Sequence, residues 1–411
     1  MDIYDVFFYL SLGAGFMMAF NLGANDVANS MASAVGAKAI SVRQAVFIAG
    51  ILNFVGAVFL GSHVTATVSK GIINPTSISD PKIIMIGMFA ALLAAGIWVF
   101  IATLTSLPVS STHSIVGAIM GFGMVAGGAD VVNWLKMGGI VLSWIISPFF
   151  ASAIGYFVFT SIRKKILYKK HFIQQAKKWA PFWIALTVAL IMLSFLYKTP
   201  VGKDLNLPWA VSLLIAAGVA GAVYCLAWWI VSRLVRDAEE GPETVETVFR
   251  KMQVGTSCYV ALSQGANDVA NAIGPVAAIY LISREHQLLA QADVPMSMLI
   301  LGGVGIAVGI GLLGHKVMAT VGGRITQLTN TRGFAVDFGA ASTVLVASNM
   351  GLPVSTTHAA VGAVVGVGMA RGFRAVDFRV LGKIVLYWVL TVPIAAVTSI
   401  VIFELLKAIC Y

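Results

Sequence analysis

The heptapeptide Gly-Ala-Asn-Asp-Val-Ala-Asn occupies residues 23–29 and returns, letter for letter, at residues 265–271. A second motif follows each copy: Leu-Pro-Val-Ser-Ser-Thr-His at residues 107–113 and Leu-Pro-Val-Ser-Thr-Thr-His at residues 352–358. The second motif begins 84 residues after the first in one half of the chain and 87 residues after it in the other. Two motifs in the same order at nearly the same spacing indicate a duplicated unit, around which the remaining sequence is organised.

Composition places this duplicated unit in a lipid bilayer. Hydrophobic residues make up 59% of the 411 residues and charged residues only 11%, against about 25% charged in an ordinary soluble domain. Many apolar runs reach the roughly 20 residues that a helix needs to cross a bilayer. The runs are continuous rather than alternating, which excludes a transmembrane β-barrel. We therefore expect an all-α polytopic membrane protein, located in a cell membrane.

The net charge of +10 lies mainly in short loops. Seven Lys and Arg residues fall between Arg163 and Lys178, with no acidic residue among them. A short basic loop between apolar runs is typical of the cytoplasmic side, so this distribution indicates membrane orientation rather than nucleic-acid binding. The three cysteines are far apart, and they imply neither a disulfide framework nor a metal cluster.

Loop charge and segment count together predict the topology. We divide the chain into a first repeat (1–162), a central region with two extra apolar segments (163–250) and a second repeat (251–411). Each repeat contains five apolar segments, an odd number, so the two repeats are expected to have inverted orientations. Loop 163–178 and the loop containing Arg371 are then cytoplasmic, and both termini are external.

The first motif predicts a cation site. Ionisable groups within apolar membrane sequence are energetically costly and are usually functional, and carboxylate and carboxamide oxygens suit hard cations. We also expect Gly23 and Gly265 to let the backbone leave helical geometry there. The alternative is a polar seam that only joins helices. The predicted cation ligands are Asp26, Asn29, Asp268 and Asn271, with Asn25 and Asn267 shared between the cation and an anion.

The second motif predicts a helix start. A proline followed by hydroxyl residues and an apolar run is a helix-start signal, and a helix N-terminus attracts oxyanions. The alternative is simple capping of a broken helix. His113 and His358 are expected to form local hydrogen bonds, with proton transfer as the alternative. The predicted anion-binding hydroxyls are Ser110, Ser111, Thr112, Ser355, Thr356 and Thr357.

Neither motif pair contains a Lys or Arg residue. An anion bound there would be repelled by two aspartates unless a cation neutralised them. Each ligand would then favour binding of the other, which gives a physical route to cation–anion symport.

The two heptapeptides, together with the Leu-Pro-Val-Ser segments, resemble those of the inorganic phosphate transporter (PiT) family. The resemblance implies phosphate transport coupled to Na⁺ or H⁺, about twelve helical elements with broken or re-entrant helices near the midplane, and a homodimer. Asp337 falls where sodium-coupled animal members carry Glu. Asn53 falls where they carry another Glu, so the chain differs there. We regard Asp337, Asn53, His113 and His358 as candidate coupling or gating positions.

Sodium is the coupling ion that we expect, with Na⁺ and phosphate as the transported ligands and no cofactor. The polar groups are mostly carboxamides and hydroxyls, which coordinate a metal ion but do not carry a proton. Protonation of Asp26 and Asp268 would instead give a proton-coupled phosphate, or metal-phosphate, symporter. A membrane enzyme acting on phosphorylated lipids is a third class, but the basic residues that would steady its transition state are missing from the motifs.

The topology can be tested with single cysteines in a cysteine-free background. We expect an impermeant thiol reagent added outside intact cells to label a cysteine replacing Asp2 and to leave cysteines replacing Lys165 and Arg374 unlabelled. Permeabilised cells supply the control, because all three positions should react there. Labelling of Asp2 and Lys165 positions from the same side would contradict the inverted repeat.

Overall fold

Helices account for nearly all of the described chain. The computed structural model describes residues 2–61, 72–73, 78, 80–198, 202, 205–285, 294–349 and 354–410. The only β-type pairing within those residues is an isolated bridge between Ile73 and Val132. Leu352 and Pro353 of the second motif, and Tyr411 at the C-terminus, lie outside the described residues.

The described residues of the first repeat form five α-helices, and those of the central region form two. The fifth helix continues through a π-helical turn, Arg163–Leu167, into the basic loop. The first-repeat helices are α1 (Ile3–Gly36), α2 (Val42–Leu60), α3 (Pro81–Leu104), α4 (Ser111–Gly127) and α5 (Trp134–Ile162). The central helices are α6 (Phe172–Lys198) and α7 (Trp209–Leu234).

The second repeat follows the same plan. Its described residues form five helices: α8 (Pro242–Glu285), α9 (Met296–Ala319), α10 (Asn330–Asn349), α11 (Thr356–Ala370) and α12 (Phe378–Cys410). The fourth helix of each repeat is short, at 17 residues in α4 and 15 in α11. Eight helices of the described chain are long and apolar enough to cross a membrane. The prediction of an all-α polytopic membrane protein with about twelve helical elements is therefore confirmed, whereas the inverted orientation of the repeats stays a prediction.

The second motif of each repeat begins a helix, as the sequence predicts. The Ser110 hydroxyl accepts a hydrogen bond from the backbone N–H of His113 and caps α4. The Ser355 hydroxyl accepts the equivalent bond from His358 and caps α11. Each cap leaves other N–H groups of the first turn without a partner in the helix itself. The two short helices therefore each present an N-terminus at the position of the motif.

Helices of one repeat pack mainly against helices of the other. Helix α1 lies along α9, and α8 lies along α2. Likewise α4 packs against α12, and α11 packs against α5. Each pairing has its counterpart with the repeats exchanged, so the duplicated sequence produces a duplicated set of contacts across the molecule.

Glycines make the two long crossings possible. A methyl group on Gly23 of α1 would overlap the backbone carbonyl of Ile306 in α9, and one on Gly265 of α8 would overlap the carbonyl of Asn53 in α2. Both α1 and α8 remain continuous helices through these glycines. The expectation that Gly23 and Gly265 would break helical geometry is therefore wrong. Their missing side chains instead let two backbones touch, as is common between membrane helices.

Replacing Gly23 by Ala should destabilise the protein, because the added methyl group has backbone rather than a flexible side chain in its way. We expect a loss of about 1–3 kcal/mol, visible as a lower thermal unfolding midpoint in detergent. Gly13→Ala in the same helix is the control, since nothing lies within 4 Å of its added carbon. Equal unfolding midpoints for the two variants would contradict the close crossing of α1 and α9.

Candidate functional site

The structure brings the four motif segments together in the middle of the helical bundle. The Asn29 side chain, on α1, donates hydrogen bonds to the hydroxyls of Thr356 and Thr357, with N–O distances of 3.2 and 3.0 Å. From the second repeat to the first, the Asn271 side chain, on α8, donates a hydrogen bond to the hydroxyl of Thr112 at 3.2 Å. Each heptapeptide is thus bonded to the helix N-terminus of the opposite repeat.

Asn25 instead forms hydrogen bonds to the second motif of its own repeat. Its side-chain nitrogen donates to the hydroxyl of Thr103 and to the carbonyl of Leu107, both at 3.1 Å. Its side-chain oxygen accepts from the backbone N–H of Val109 at 3.1 Å. The carboxamide therefore fixes the non-helical residues before α4, which sets where that helix begins. Asn267, the equivalent residue in the second repeat, donates to the neighbouring carboxylate of Asp268 at 3.2 Å.

The two aspartates are buried, with 2% of Asp26 and 3% of Asp268 exposed. One oxygen of Asp26 accepts a hydrogen bond from the hydroxyl of Ser111 at 2.6 Å. The carboxylates are close enough for their charges to interact. In the described part of the chain no Lys or Arg side chain pairs with either of them. Two buried anionic groups without a basic partner require another source of positive charge or protons.

Four buried side-chain oxygens at this centre lack any hydrogen-bond donor: one each from Asp26, Asn29, Gln264 and Asp268. Gln264 is a residue that the sequence analysis missed. Its side-chain nitrogen donates to the backbone carbonyl of Asp26, which joins α8 to α1. It directly precedes the second heptapeptide, whereas Leu22 precedes the first. Because the two residues differ, the sequence repeat does not include Gln264.

The hydroxyls of the second motif divide into two groups. Those of Ser110 and Ser355 cap their own helices and accept from a backbone N–H. The others bond across the site; the hydroxyl of Thr357 donates to the carbonyl of Val109 at 3.2 Å. Two helix N-termini and four hydroxyls therefore adjoin the buried oxygens. The four hydroxyls belong to Ser111, Thr112, Thr356 and Thr357.

Comparison with known proteins identifies the family of the chain. The sequence profile described as the phosphate transporter family matches residues 22–399 of the chain. The chain belongs to the phosphate transporter family. A protein of Thermococcus kodakarensis that is named a phosphate permease is 48% identical over 406 residues, which cover 99% of each chain. The chloroplastic inorganic phosphate transporter 2-1 of Arabidopsis thaliana is 38% identical over 427 residues, covering 96% of this chain and 71% of the plant protein.

A solved structure shares the fold of this family member. It is titled "The sodium-dependent phosphate transporter", is 45% identical, and superposes with a TM-score of 0.90 over 98% of this chain and 100% of the other. The family resemblance noted from the two motifs is therefore confirmed. Because the relatives are transporters and permeases, a membrane enzyme acting on phosphorylated lipids is excluded.

In this phosphate transporter the two motif histidines form the middle of a four-ring stack. The ring of His113 lies on Trp144 with centroids 3.6 Å apart, and the ring of His358 lies on Trp388 at 3.8 Å. The two imidazoles meet edge to face at 4.4 Å. His358 Nδ1 also lies 2.9 Å from the carbonyl oxygen of Trp144. The histidines therefore join α4 and α11 to each other and to α5 and α12, which no motif spacing predicts.

Asp337 lies at a second buried polar cluster. One of its carboxylate oxygens accepts from the hydroxyl of Ser33, and the other accepts from Ser257 at 2.6 Å and from Thr256 at 3.2 Å. Ser33 follows Asp26 by seven residues on α1, which places the cluster roughly 10 Å farther along that helix. Asn53 is different, because its side chain donates to the carbonyl of Ala49 in its own helix at 2.9 Å.

The described residues contain no group of three or more His, Cys, Asp or Glu side chains that would hold a metal ion on its own. A cation at the centre would have to draw on carboxamide, hydroxyl and backbone oxygens as well as carboxylates. This mixture of oxygen ligands suits a hard cation better than a soft or borderline transition metal, which favours His and Cys.

Proposed function

We propose that this phosphate transporter imports inorganic phosphate by symport with Na⁺. The observation that carries the proposal is the set of four buried oxygens without donors, on Asp26, Asn29, Gln264 and Asp268. A buried oxygen that accepts no hydrogen bond is costly. A Na⁺ ion bound among them would supply the missing interaction with the type of ligand that it prefers.

Phosphate would bind beside the cation at the two helix N-termini. The backbone N–H groups at the start of α4 and α11 and the neighbouring hydroxyls are hydrogen-bond donors for an oxyanion. The hydroxyls of Ser110 and Ser355 already accept the capping bonds, yet each can still donate its own hydrogen. Asn25 and Asn267 lie between the two ligands in this proposal. Their side-chain nitrogens now donate within the protein, so ligand binding would exchange those partners.

Coupling follows from charge. Phosphate next to Asp26 and Asp268 is repelled unless a cation is present, and a cation there is held more tightly when phosphate is present. Support for sodium rather than protons comes from the 45% identical structure, whose title names sodium dependence. Proton coupling through the same two carboxylates is the competing mechanism.

The remaining candidate residues have positioning roles in this proposal. Asp337, with three hydroxyl donors from α1 and α8, is placed to respond when these two helices move relative to each other. His113 and His358 hold the two binding helices in register through the ring stack, and Asn53 acts through the α2–α8 crossing. A homodimer in a cell membrane, with both termini external, completes the proposal.

Replacing Ser111 or Thr357 by Ala should weaken phosphate binding by about 1–3 kcal/mol, roughly 5- to 150-fold, because a buried hydroxyl donor is lost. Binding of phosphate to purified protein at saturating Na⁺ measures the effect. Ser114→Ala is the matched control, since this buried hydroxyl on α4 bonds only to the carbonyl of Ser110 in its own helix. Unchanged affinity in both Ser111 and Thr357 variants would remove the helix-terminus site from consideration.

Phosphate accumulation in liposomes at equal pH on both sides should follow an inward Na⁺ gradient and disappear when choline replaces Na⁺. Asp26→Asn and Asp268→Asn should each abolish this dependence, because a carboxamide lacks the charge that binds the cation. Asp130→Asn, at an exposed position outside the site, should retain it. Uptake driven by a pH gradient alone in the absence of Na⁺ would refute sodium coupling and leave phosphate transport standing.

A further inference from the structure

Four arginines line an open cavity at the end of α11 opposite the second motif. The cavity has a volume of about 680 Å³ and lies between the loop that joins α9 to α10 and the loop that joins α11 to α12. We call it the arginine pocket. All four arginine side chains are exposed. They are Arg324, Arg371, Arg374 and Arg379.

The pocket has a strong excess of positive charge. Asp377 is the one acidic residue in its lining, and its carboxylate accepts hydrogen bonds from the backbone N–H groups of Arg379 and Val380 at the start of α12. Arg371 also lies close enough to Arg332 for the two like charges to repel, and Glu246 offsets part of that repulsion at Arg332. In the described chain Arg374 and Arg379 have no ion-pair partner. Gathering like charges is unfavourable unless an anion binds them.

The two loops hold each other in place, so the pocket is formed in advance. The backbone N–H of Asp377 donates to the carbonyl of Ile325 at 2.9 Å, and the hydroxyl of Thr326 donates to the carbonyl of Ala375 at 2.7 Å. Arg371 donates from its guanidinium to the carbonyl of Gln327 at 3.2 Å. A preformed loop framework that presents several guanidinium groups suits a phosphate, which Arg recognises through paired hydrogen bonds.

The surroundings of the pocket favour a lipid as the source of that phosphate. Phe378 lines the pocket and is 50% exposed, and α12 continues from it with large apolar side chains facing outward. A phospholipid with its phosphate in the pocket could therefore lay its acyl chains along α12. The exposed apolar residues along this helix include Leu386, Val389, Val397, Val401 and Leu405.

We infer that the arginine pocket binds the phosphate group of an anionic phospholipid, in the leaflet on the side that loop charge assigns to the cytoplasm. Basic pockets between membrane helices on this side are suited to anionic headgroups. The site is separate from the transport centre, and it does not depend on the identity of the coupling ion or of the transported substrate.

The test compares Arg374→Gln/Arg379→Gln with Lys169→Gln/Lys170→Gln, which removes the same charge from exposed positions in the basic loop. Binding of phosphatidylglycerol to the purified full-length protein is followed by native mass spectrometry and by the rise in unfolding temperature, with phosphatidylcholine as the neutral probe. The dissociation constant for phosphatidylglycerol should rise about 25-fold in the arginine variant, or about fivefold per charge. The lysine variant and phosphatidylcholine binding should change little.

Equal phosphatidylglycerol binding in the two variants would overturn the proposal, whether both lose affinity or neither does. A separate arm adds inorganic phosphate to lipid-depleted protein. If inorganic phosphate stabilises the arginine variant less than the wild type and the lysine variant, while lipid binding is equal in all three, the ligand is free phosphate and the lipid assignment is wrong. Phosphate bound at the transport centre stabilises all three proteins alike and cancels in this comparison. Because no readout is transport, failure of Na⁺–phosphate symport would leave this result unaffected.

Discussion

The structure depends on satisfying polar groups that lie in the middle of an apolar bundle. Within lipid the backbone and every buried amide must find partners inside the protein. Here the partners come from the opposite repeat: Asn29 reaches the hydroxyls of α11, and Asn271 reaches the hydroxyl of Thr112 on α4. Neither repeat can satisfy its own heptapeptide fully. The two repeats must therefore be assembled against each other before either motif is complete, which explains why the site forms at their contact and nowhere else along the helices.

Close backbone contacts accompany this exchange. Gly23 lets α1 lie against the backbone of α9, and Gly265 lets α8 lie against the backbone of α2. The stacked rings of Trp144, His113, His358 and Trp388 fix the two short helices, α4 and α11, whose hydroxyls accept from the opposite heptapeptides. The first letter of each heptapeptide thus serves packing, and its polar letters serve the site.

Composition made the class of fold readable from sequence, and repetition marked the four motif segments that the structure brings together, because duplicated polar letters in apolar helices stand out. The same criterion hid Gln264, whose counterpart is Leu22, and the tryptophans of the ring stack, which read as ordinary apolar residues of α5 and α12. It also misled at Gly23 and Gly265. A glycine in a polar motif suggested a broken helix, but both helices are continuous there. The glycines are needed because the backbone of another helix lies where a side chain would be, and no local sequence pattern reveals that neighbour. Local propensity does not specify which distant carbonyl a residue will meet.

The hydrogen bonds between the repeats also constrain how a bound ligand can drive movement. Rotating one repeat against the other would break the bonds from Asn29 and Asn271 and the bond from Gln264 to the carbonyl of Asp26. At about 1 kcal/mol each, these bonds favour the present arrangement by a few kcal/mol. A ligand shifts such an equilibrium only by its difference in affinity between the two states. In the proposed symport, the carboxamides and hydroxyls released from these bonds are the groups that the ion and phosphate engage, so ligand binding would offset the loss of the bonds that movement breaks. The donors that hold the two repeats together at the site are then the same groups that would make its movement dependent on ligand.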